Sequence, residues 1–126
     1  MARDEEALEC FEQALNLDDN NAQAWLGKGW SLYRLERYDE AMESFQQALQ
    51  LDESNGRAWL AQGWTLYFLG QYDQALDCFD RALELDSDSA GAWLGKGWTL
   101  QALGGGEDEV QQPQEPPPAQ EPVEEG

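Results

Sequence analysis

The chain of 126 residues has no histidine, only two cysteines, and seven basic residues against 26 acidic ones. Without histidine no serine has an imidazole base to activate it, and two cysteines without histidine do not provide the usual ligands of a zinc site. The clusters of acidic residues lie in first turns and on polar faces, as solvated carboxylates do. The sequence therefore predicts neither enzymatic activity nor a metal site nor a cofactor.

Basic charge and long apolar runs are also scarce. The formal net charge of −19 divides into −7 from Glu107 onward and −12 before it, where 19 acidic residues face seven basic ones. Such a surface repels phosphate backbones and anionic lipid, so we expect no nucleic-acid or membrane partner. No run approaches the length of a membrane span, and the acidic start is unlike a signal peptide. A protein or peptide ligand that is apolar or basic is favoured instead.

Tryptophan is abundant and regularly spaced. Trp25, Trp59 and Trp93 stand 34 residues apart, and a second ladder follows five residues behind them, formed by Trp30, Trp64 and Trp98. A fixed period of this length is typical of a solenoid of stacked repeats, in which no unit can bury its apolar face alone.

Two amphipathic helices fit into each period. We call the first helix A, at about 22–35, and the second helix B, at about 38–51. Asn21, Asn55 and Ser89 precede successive A helices and are residue types that cap helix N-termini. Extending the period predicts a B helix at about 4–17 and a final A helix at about 92–103, so two whole units are flanked by two half units.

The spacing Trp25-x3-Gly29-x2-Leu32-x5-Tyr38-x2-Ala41-x3-Phe45-x2-Ala48 resembles the tetratricopeptide repeat, and the next period repeats it. The resemblance implies an all-α, right-handed solenoid of six helices over residues 1–103. Asp19, Glu53 and Ser87 replace the family's usual proline, which suggests a softer turn, and Asp4 replaces the tyrosine that opens helix B. Residues 104–126 hold all five prolines, and we predict that they form a disordered acidic tail.

The two cysteines, Cys10 and Cys78, are two periods apart and so occupy the same site in different units. Because stacked helical pairs advance on the order of 10 Å per unit, these cysteines lie beyond disulfide reach. We expect two buried free thiols, which suit a reducing compartment such as the cytoplasm.

The two tryptophan ladders receive different predictions. The first falls where helix A packs on its own helix B, and we predict that it is core. In the family that the chain resembles, the side of helix A turned away from B lines a concave groove, which the second ladder would share. The predicted groove residues are Gln23, Leu26, Trp30, Tyr33, Arg34, Arg57, Leu60, Trp64, Tyr67, Phe68, Leu94, Trp98 and Gln101. The alternative is that neighbouring A helices bury these side chains on one another.

Some tetratricopeptide proteins clamp the C-terminal carboxylate of chaperones with lysine, asparagine and arginine. The corresponding positions here are Leu26, Trp30, Ala61, Gly91 and Gly95, and none of them matches. Nothing at these positions would neutralise a carboxylate, so we do not expect a chaperone carboxylate binder.

The function expected from this pattern is non-catalytic protein–protein interaction through a tryptophan-lined groove. One alternative is a self-assembling structural module, in which terminal half repeats complete each other between chains; another is a fragment of a longer array or a designed repeat protein. The residues predicted for self-association are Leu8, Phe11, Leu15, Trp93, Leu100 and Leu103.

Overall fold

The computed structural model describes residues 2–104, which form six α-helices and no strand. They are α1 (Ala2–Leu17), α2 (Ala22–Arg34), α3 (Tyr38–Leu51), α4 (Gly56–Phe68), α5 (Tyr72–Leu85) and α6 (Ala90–Leu103). The predicted all-α solenoid is confirmed, with α2, α4 and α6 as A helices and α1, α3 and α5 as B helices. Each helix packs mainly on its neighbours in the sequence. The predicted tail lies outside the described residues.

Side-chain caps fix the start of each A helix. Asn21, Asn55 and Ser89 accept hydrogen bonds from the backbone N–H groups of the residues three positions on, at 3.1, 3.2 and 3.2 Å. Each cap satisfies a donor that the first helical turn leaves without a partner. The three N-caps predicted from the sequence are therefore confirmed.

The turns that lead into the A helices are held by the first tryptophan ladder. The indole N–H groups of Trp25, Trp59 and Trp93 donate to the carbonyl oxygens of the residues six positions earlier, each at 2.9 Å. Those carbonyls belong to Asp19, Glu53 and Ser87, the positions where the family usually has proline. The indole bonds therefore tie down a turn that the missing proline was expected to leave soft.

Trp25 and Trp59 pack against the core, but the first ladder is not fully buried as the sequence predicted. Trp25 and Trp59 are only half-buried, and Trp93 is 54% exposed. The rings instead lie beside cationic groups, with Trp25 5.4 Å from Lys28 Nζ, Trp59 5.2 Å from the Arg81 guanidinium and Trp93 5.7 Å from Lys96 Nζ. A ring that spans from the turn to a charged side chain needs one edge in water, and this explains the partial exposure.

Phenylalanines of the B helices form the core by packing directly on bare backbone of the A helices. Phe45 lies over Gly29, while Phe79 lies between Gly63 and Gly95, and both rings are fully buried. A Cβ atom at any of these glycines would overlap the facing ring. Close approach of the helices therefore requires glycine there, although glycine costs about 1 kcal/mol in a helix interior.

The first two helices meet through a contact unlike that of the later repeats. Asp4 Oδ1 accepts a hydrogen bond from Arg34 Nε at 2.9 Å. At the equivalent place between α3 and α4, the rings of Tyr38 and Phe68 are stacked with their centroids 5.8 Å apart. An ion pair thus replaces an aromatic stack, because Asp4 and Arg34 occupy the positions that Tyr38 and Phe68 hold one period later.

Candidate interaction surface

The second tryptophan ladder does not line an open groove. Trp30 is 5% exposed and Trp64 is fully buried, and each ring meets the core phenylalanine of its own repeat edge to face. The prediction that these two indoles are available to a ligand is therefore wrong. Trp98, the third member, is half-buried. The cause is mainly packing on the B helices, since the A helices α2 and α4 meet the B helices beside them far more extensively than they meet each other. The alternative, burial by neighbouring A helices, contributes less.

Four more of the predicted groove residues are buried, namely Leu26, Tyr33, Leu60 and Tyr67. Burial raises the pKa of the Tyr33 and Tyr67 hydroxyls, because desolvation disfavours the phenolate. Neither the Trp30 nor the Trp64 indole N–H has an acceptor among the described residues. These side chains are held by packing in the core.

Aromatic rings connect the two whole repeats continuously. Phe68 lies 5.9 Å from Tyr33 and 5.4 Å from Tyr67, measured between ring centroids, so one ring bridges the second and fourth helices. Tyr33 also meets Trp30, and Tyr67 meets Trp64. Edge-to-face pairs at these distances each add about 0.5–1.5 kcal/mol beyond area burial, so the helices are held in a fixed relation.

The remaining predicted groove residues reach solvent. Phe68 and Trp98 are half-buried, whereas Gln23, Arg34, Arg57, Leu94 and Gln101 are exposed. The structure therefore keeps seven of the thirteen predicted positions accessible, one or more on each A helix. Two of them are aromatic, one is aliphatic and four are polar or charged.

A cavity of about 350 Å³ lies near the N-terminal ends of the A helices. Gln23, Arg57 and Leu60 line it together with Asp52, Asp86 and Ser89. Sequence reasoning found the first three and missed the acidic residues, because these belong to the turns after the B helices. The cavity joins a guanidinium to two carboxylates, so its polar wall can accept as well as donate hydrogen bonds.

Most of the few basic side chains form ion pairs with carboxylates. The cationic groups of Lys28, Arg34, Arg37, Arg81 and Lys96 lie between 2.6 and 3.9 Å from carboxylate oxygens. The Arg37 guanidinium, hydrogen-bonded to Glu40, lowers the pKa of that carboxyl. The excess of acidic residues is therefore left to the solvent-facing surface, which carries a negative potential.

The outer face of α6 differs from that of the other A helices. Leu32 and Leu66 are 2% and 5% exposed, whereas Leu100 at the equivalent position is 47% exposed. Leu94 and Leu103 are exposed as well. Of the residues predicted for self-association on α1, Phe11 is half-buried, but Leu8 and Leu15 are already buried beside α2 and are not accessible. The prediction of an open apolar face is wrong for those two leucines.

The cysteines are not equivalent. Cys78 is buried, its thiol lies 3.7 Å from Gln62 Oε1, and burial raises its pKa to about 12. Cys10 is exposed, so the expectation of two buried thiols is wrong for this residue. The difference arises because α4 covers the side of α5 that carries Cys78, while no described helix covers that side of α1.

Within the described residues, no three histidine, cysteine or acidic side chains come together in a way that could hold a metal ion. Over the same residues, no helix is both long enough and apolar enough to cross a membrane.

Two tetratricopeptide repeat family models match the chain, one over residues 5–56 and the other over residues 32–103. The second alone covers more than half of the chain, and together they span all six helices. The chain belongs to the tetratricopeptide repeat family.

Solved structures with a similar fold include several tetratricopeptide domains. The first such domain of Spaghetti (RPAP3), bound to the HSP90 peptide SRMEEVD, has a TM-score of 0.80 and 22% identity, over 82% of each chain. The Arabidopsis OM64 domain has a TM-score of 0.78 and 21% identity, over 79% of this chain and 83% of its own. The second domain of human RPAP3, in complex with the HSP70 peptide SGPTIEEVD, has a TM-score of 0.75 and 25% identity, over 79% and 82%. Among curated proteins, no sequence matches this chain.

Proposed function

We propose that this protein is a non-catalytic interaction module that binds an apolar or basic peptide or helix along the A-helix side of the solenoid. The observation that carries the proposal is the combination of accessible apolar side chains with a strongly acidic surface. Phe68, Leu94 and Trp98 provide apolar contact area on α4 and α6. The repeats carry 19 acidic residues against seven basic ones. Aromatic anchors with a charged rim are typical of peptide-binding surfaces.

The proposed ligand surface consists of the seven accessible positions, and the buried tryptophans act beneath it as a support. They are Gln23, Arg34, Arg57, Phe68, Leu94, Trp98 and Gln101. The fixed chain of rings beneath Phe68 supports this assignment, because a rigid surface loses little entropy when a ligand binds. Two similar tetratricopeptide domains hold peptides, which supports a peptide as the class of ligand.

The peptides in those two domains end in Glu-Glu-Val-Asp, and we propose that this chain does not bind such ends. The exclusion rests on this chain's own residues. Of the five positions that correspond to the carboxylate clamp, Leu26 and Trp30 are buried and Ala61, Gly91 and Gly95 have no charge. A surface with excess acid repels an acidic peptide unless basic side chains pair with its carboxylates.

Fluorescence anisotropy with three labelled peptides tests the proposal: an amphipathic helix of leucine and lysine, the same helix with glutamate for lysine, and SRMEEVD. We expect binding to the lysine peptide alone, with an affinity that falls as salt screens the charges. Trp98→Ala should weaken that binding by about tenfold or more, as for an aromatic anchor. Trp93→Ala, on the same helix, is the matched control and should leave it unchanged. Binding of SRMEEVD, or equal loss in both variants, would contradict the assignment.

A second candidate function is a self-assembling structural module. The specific observation that favours it is the exposed apolar face of α6, which consists of Trp93, Leu100 and Leu103. The equivalent residues of the α2 and α4 repeats are buried or half-buried. Solenoids that stay monomeric usually end in a repeat with a polar outer face.

A further inference from the structure

We propose that copies of this chain join end to end, with Phe11 on α1 of one copy seated over Gly97 on α6 of the next. The inference gives the self-assembly candidate a defined contact, and it does not depend on the peptide surface. Inside the molecule, the phenylalanine of a B helix packs on a glycine of the A helix before it. Within the described residues, the equivalent glycine of α6 has no such ring.

We call the glycine of an A helix on which the phenylalanine of the following B helix packs the glycine seat. At Gly29 an added Cβ would overlap the ring of Phe45, and at Gly63 it would lie 2.7 Å from Phe79 Cε1. At Gly97, one period further on, an added Cβ would meet none of the described residues within 4 Å. The backbone of α6 therefore has the same bare site, without a ring over it.

Helix α1 carries the same residue types that cover the glycine seat in the repeats formed by α3 and α5. In α3, Ala41, Phe45 and Ala48 are fully buried, and in α5 the equivalent residues are buried as well. Their counterparts on α1 are Ala7, Phe11 and Ala14, and all three are only half-buried.

Cys10 marks the same open face. Its equivalents, Ser44 and Cys78, are both buried, and Cys78 reaches Gln62 of the preceding A helix. The uncovered side of α1 is thus the one that packs on the preceding A helix in the other repeats.

The polar residues of the two ends are also complementary. Inside the molecule, Tyr33 meets Tyr38 and Tyr67 meets Tyr72, with ring centroids 5.6 and 5.5 Å apart. At the equivalent positions the ends carry Gln101 and Asp4, and the Asp4 carboxylate, which accepts from Arg34 of its own copy, can also accept from an amide. Between copies, the Gln101–Asp4 pair would thereby take the place of the tyrosine pair found inside the molecule.

Charge supports the same register. Lys28 lines a cavity of about 360 Å³ with Glu40 and Glu43 of the following B helix. Two periods on from Lys28, at the same position of the last A helix, is Lys96, and one period back from the two glutamates are Glu6 and Glu9. The proposed contact therefore places a lysine opposite two carboxylates. The net charge of −19 on each copy opposes the contact at low salt, so added salt should favour it.

The chain beyond the described residues does not offer the same occupant. Residues 105–126 contain no aromatic residue and no leucine, and valine is their largest aliphatic side chain. They cannot supply an aromatic ring to the glycine seat. Because the contact joins two different surfaces, it either closes into a ring or grows into a filament.

The test uses the full chain at about 10 μM to about 1 mM, a range that spans weak association constants. Sedimentation equilibrium should show mass above the 14.2 kDa of the monomer, rising with concentration and with salt. Gly97→Ala is the decisive variant: its methyl group meets no described residue of its own copy but would overlap Phe11 of the partner copy. We expect it to weaken association by about tenfold or more, as loss of a central anchor does, without lowering the melting temperature.

Gly56→Ala is the matched control, since its added Cβ would meet only an ordinary contact 3.7 Å from Leu85 Cβ. Thiol labelling supplies a second readout, because association should protect Cys10, while Cys78 stays unreactive throughout. A monomer at every concentration, association unchanged in Gly97→Ala, or constant Cys10 reactivity would overturn the proposal. Peptide binding by Trp98→Ala is measured at about 1 μM, where weak association is negligible, so the two proposals fail separately.

Discussion

Helices α4 and α6 share most of their sequence, yet their side chains have different surroundings. Trp64 is fully buried in α4, whereas Trp98 is half-buried in α6. Leu66 and Leu100 differ more strongly, at 5% and 47% exposed. The cause is that α4 lies between α3 and α5, while α6 has α5 on one side and no described helix on the other. In a solenoid, the role of a residue is thus decided by the neighbouring repeat as much as by its own identity.

The largest difference between the two helices should appear when a tryptophan is shortened. Trp64→Ala removes a fully buried ring that meets Phe79 and Tyr67, and it should lower the free energy of unfolding by about 3–5 kcal/mol. Trp98→Ala, at the equivalent position of α6, should cost much less because its ring is half-buried. Urea denaturation followed by circular dichroism measures both, and equal losses would remove the distinction between the middle and the end.

Two glycine-to-alanine substitutions, one in each helix, should change the free energy of unfolding in opposite directions. Gly63→Ala forces a Cβ to within 2.7 Å of Phe79 and should destabilise the fold by about 1–3 kcal/mol. Gly97→Ala meets no neighbour among residues 2–104 and should stabilise the monomer by up to about 1 kcal/mol, because alanine favours the helix. Thermal melts at low protein concentration test this pair. Destabilisation by both would mean that the Gly97 site is already covered.

The period of the sequence predicts helix positions and caps well, because both depend on local residues. Helix α3 begins and ends where expected, and the three N-caps act as predicted. Burial was predicted less well. Tryptophans five residues apart point about 140° apart on a helix, so periodicity separates the two ladders without showing which of them the neighbours cover. Nor could it match Asp4 with Arg34, since the two are 30 residues apart in the chain and meet only when the helices pack.

The two cysteines allow a comparison of thiol reactivity between the covered face of α5, which carries Cys78, and the uncovered face of α1, which carries Cys10. The pKa of the Cys78 thiol is raised from 9.0 to about 12 by burial, so its contribution to stability is complete below pH 9.0 and is lost as the pH rises toward 12. Stability should fall by about 1.4 kcal/mol per pH unit in that interval. Cys78→Ala should remove this part of the dependence. Iodoacetamide should modify Cys10 alone in the native protein at pH 8–9, and labelling of both thiols would show that the α5 face opens.

The smallest expected effect compares the first helix interface with the second. The Asp4–Arg34 pair has one largely exposed partner, as the Arg34 side chain is 48% exposed, and such pairs contribute about 0.2–1 kcal/mol. A double-mutant cycle with Asp4→Asn and Arg34→Gln should therefore give a coupling energy within that range, and it should shrink as salt is added.

Replacing the same two residues with Tyr and Phe would copy the stacked Tyr38–Phe68 pair of the next interface. We expect the double replacement to raise the free energy of unfolding above that of the original chain, because stacked rings also bury apolar area. Either single replacement should be less favourable, since it sets one ring against a charged side chain. If the aromatic pair were no more stable than the ion pair, the difference between the two interfaces would not lie in these side chains, and the approach of α1 to α2 would have to be set by Phe11 on Gly27 instead.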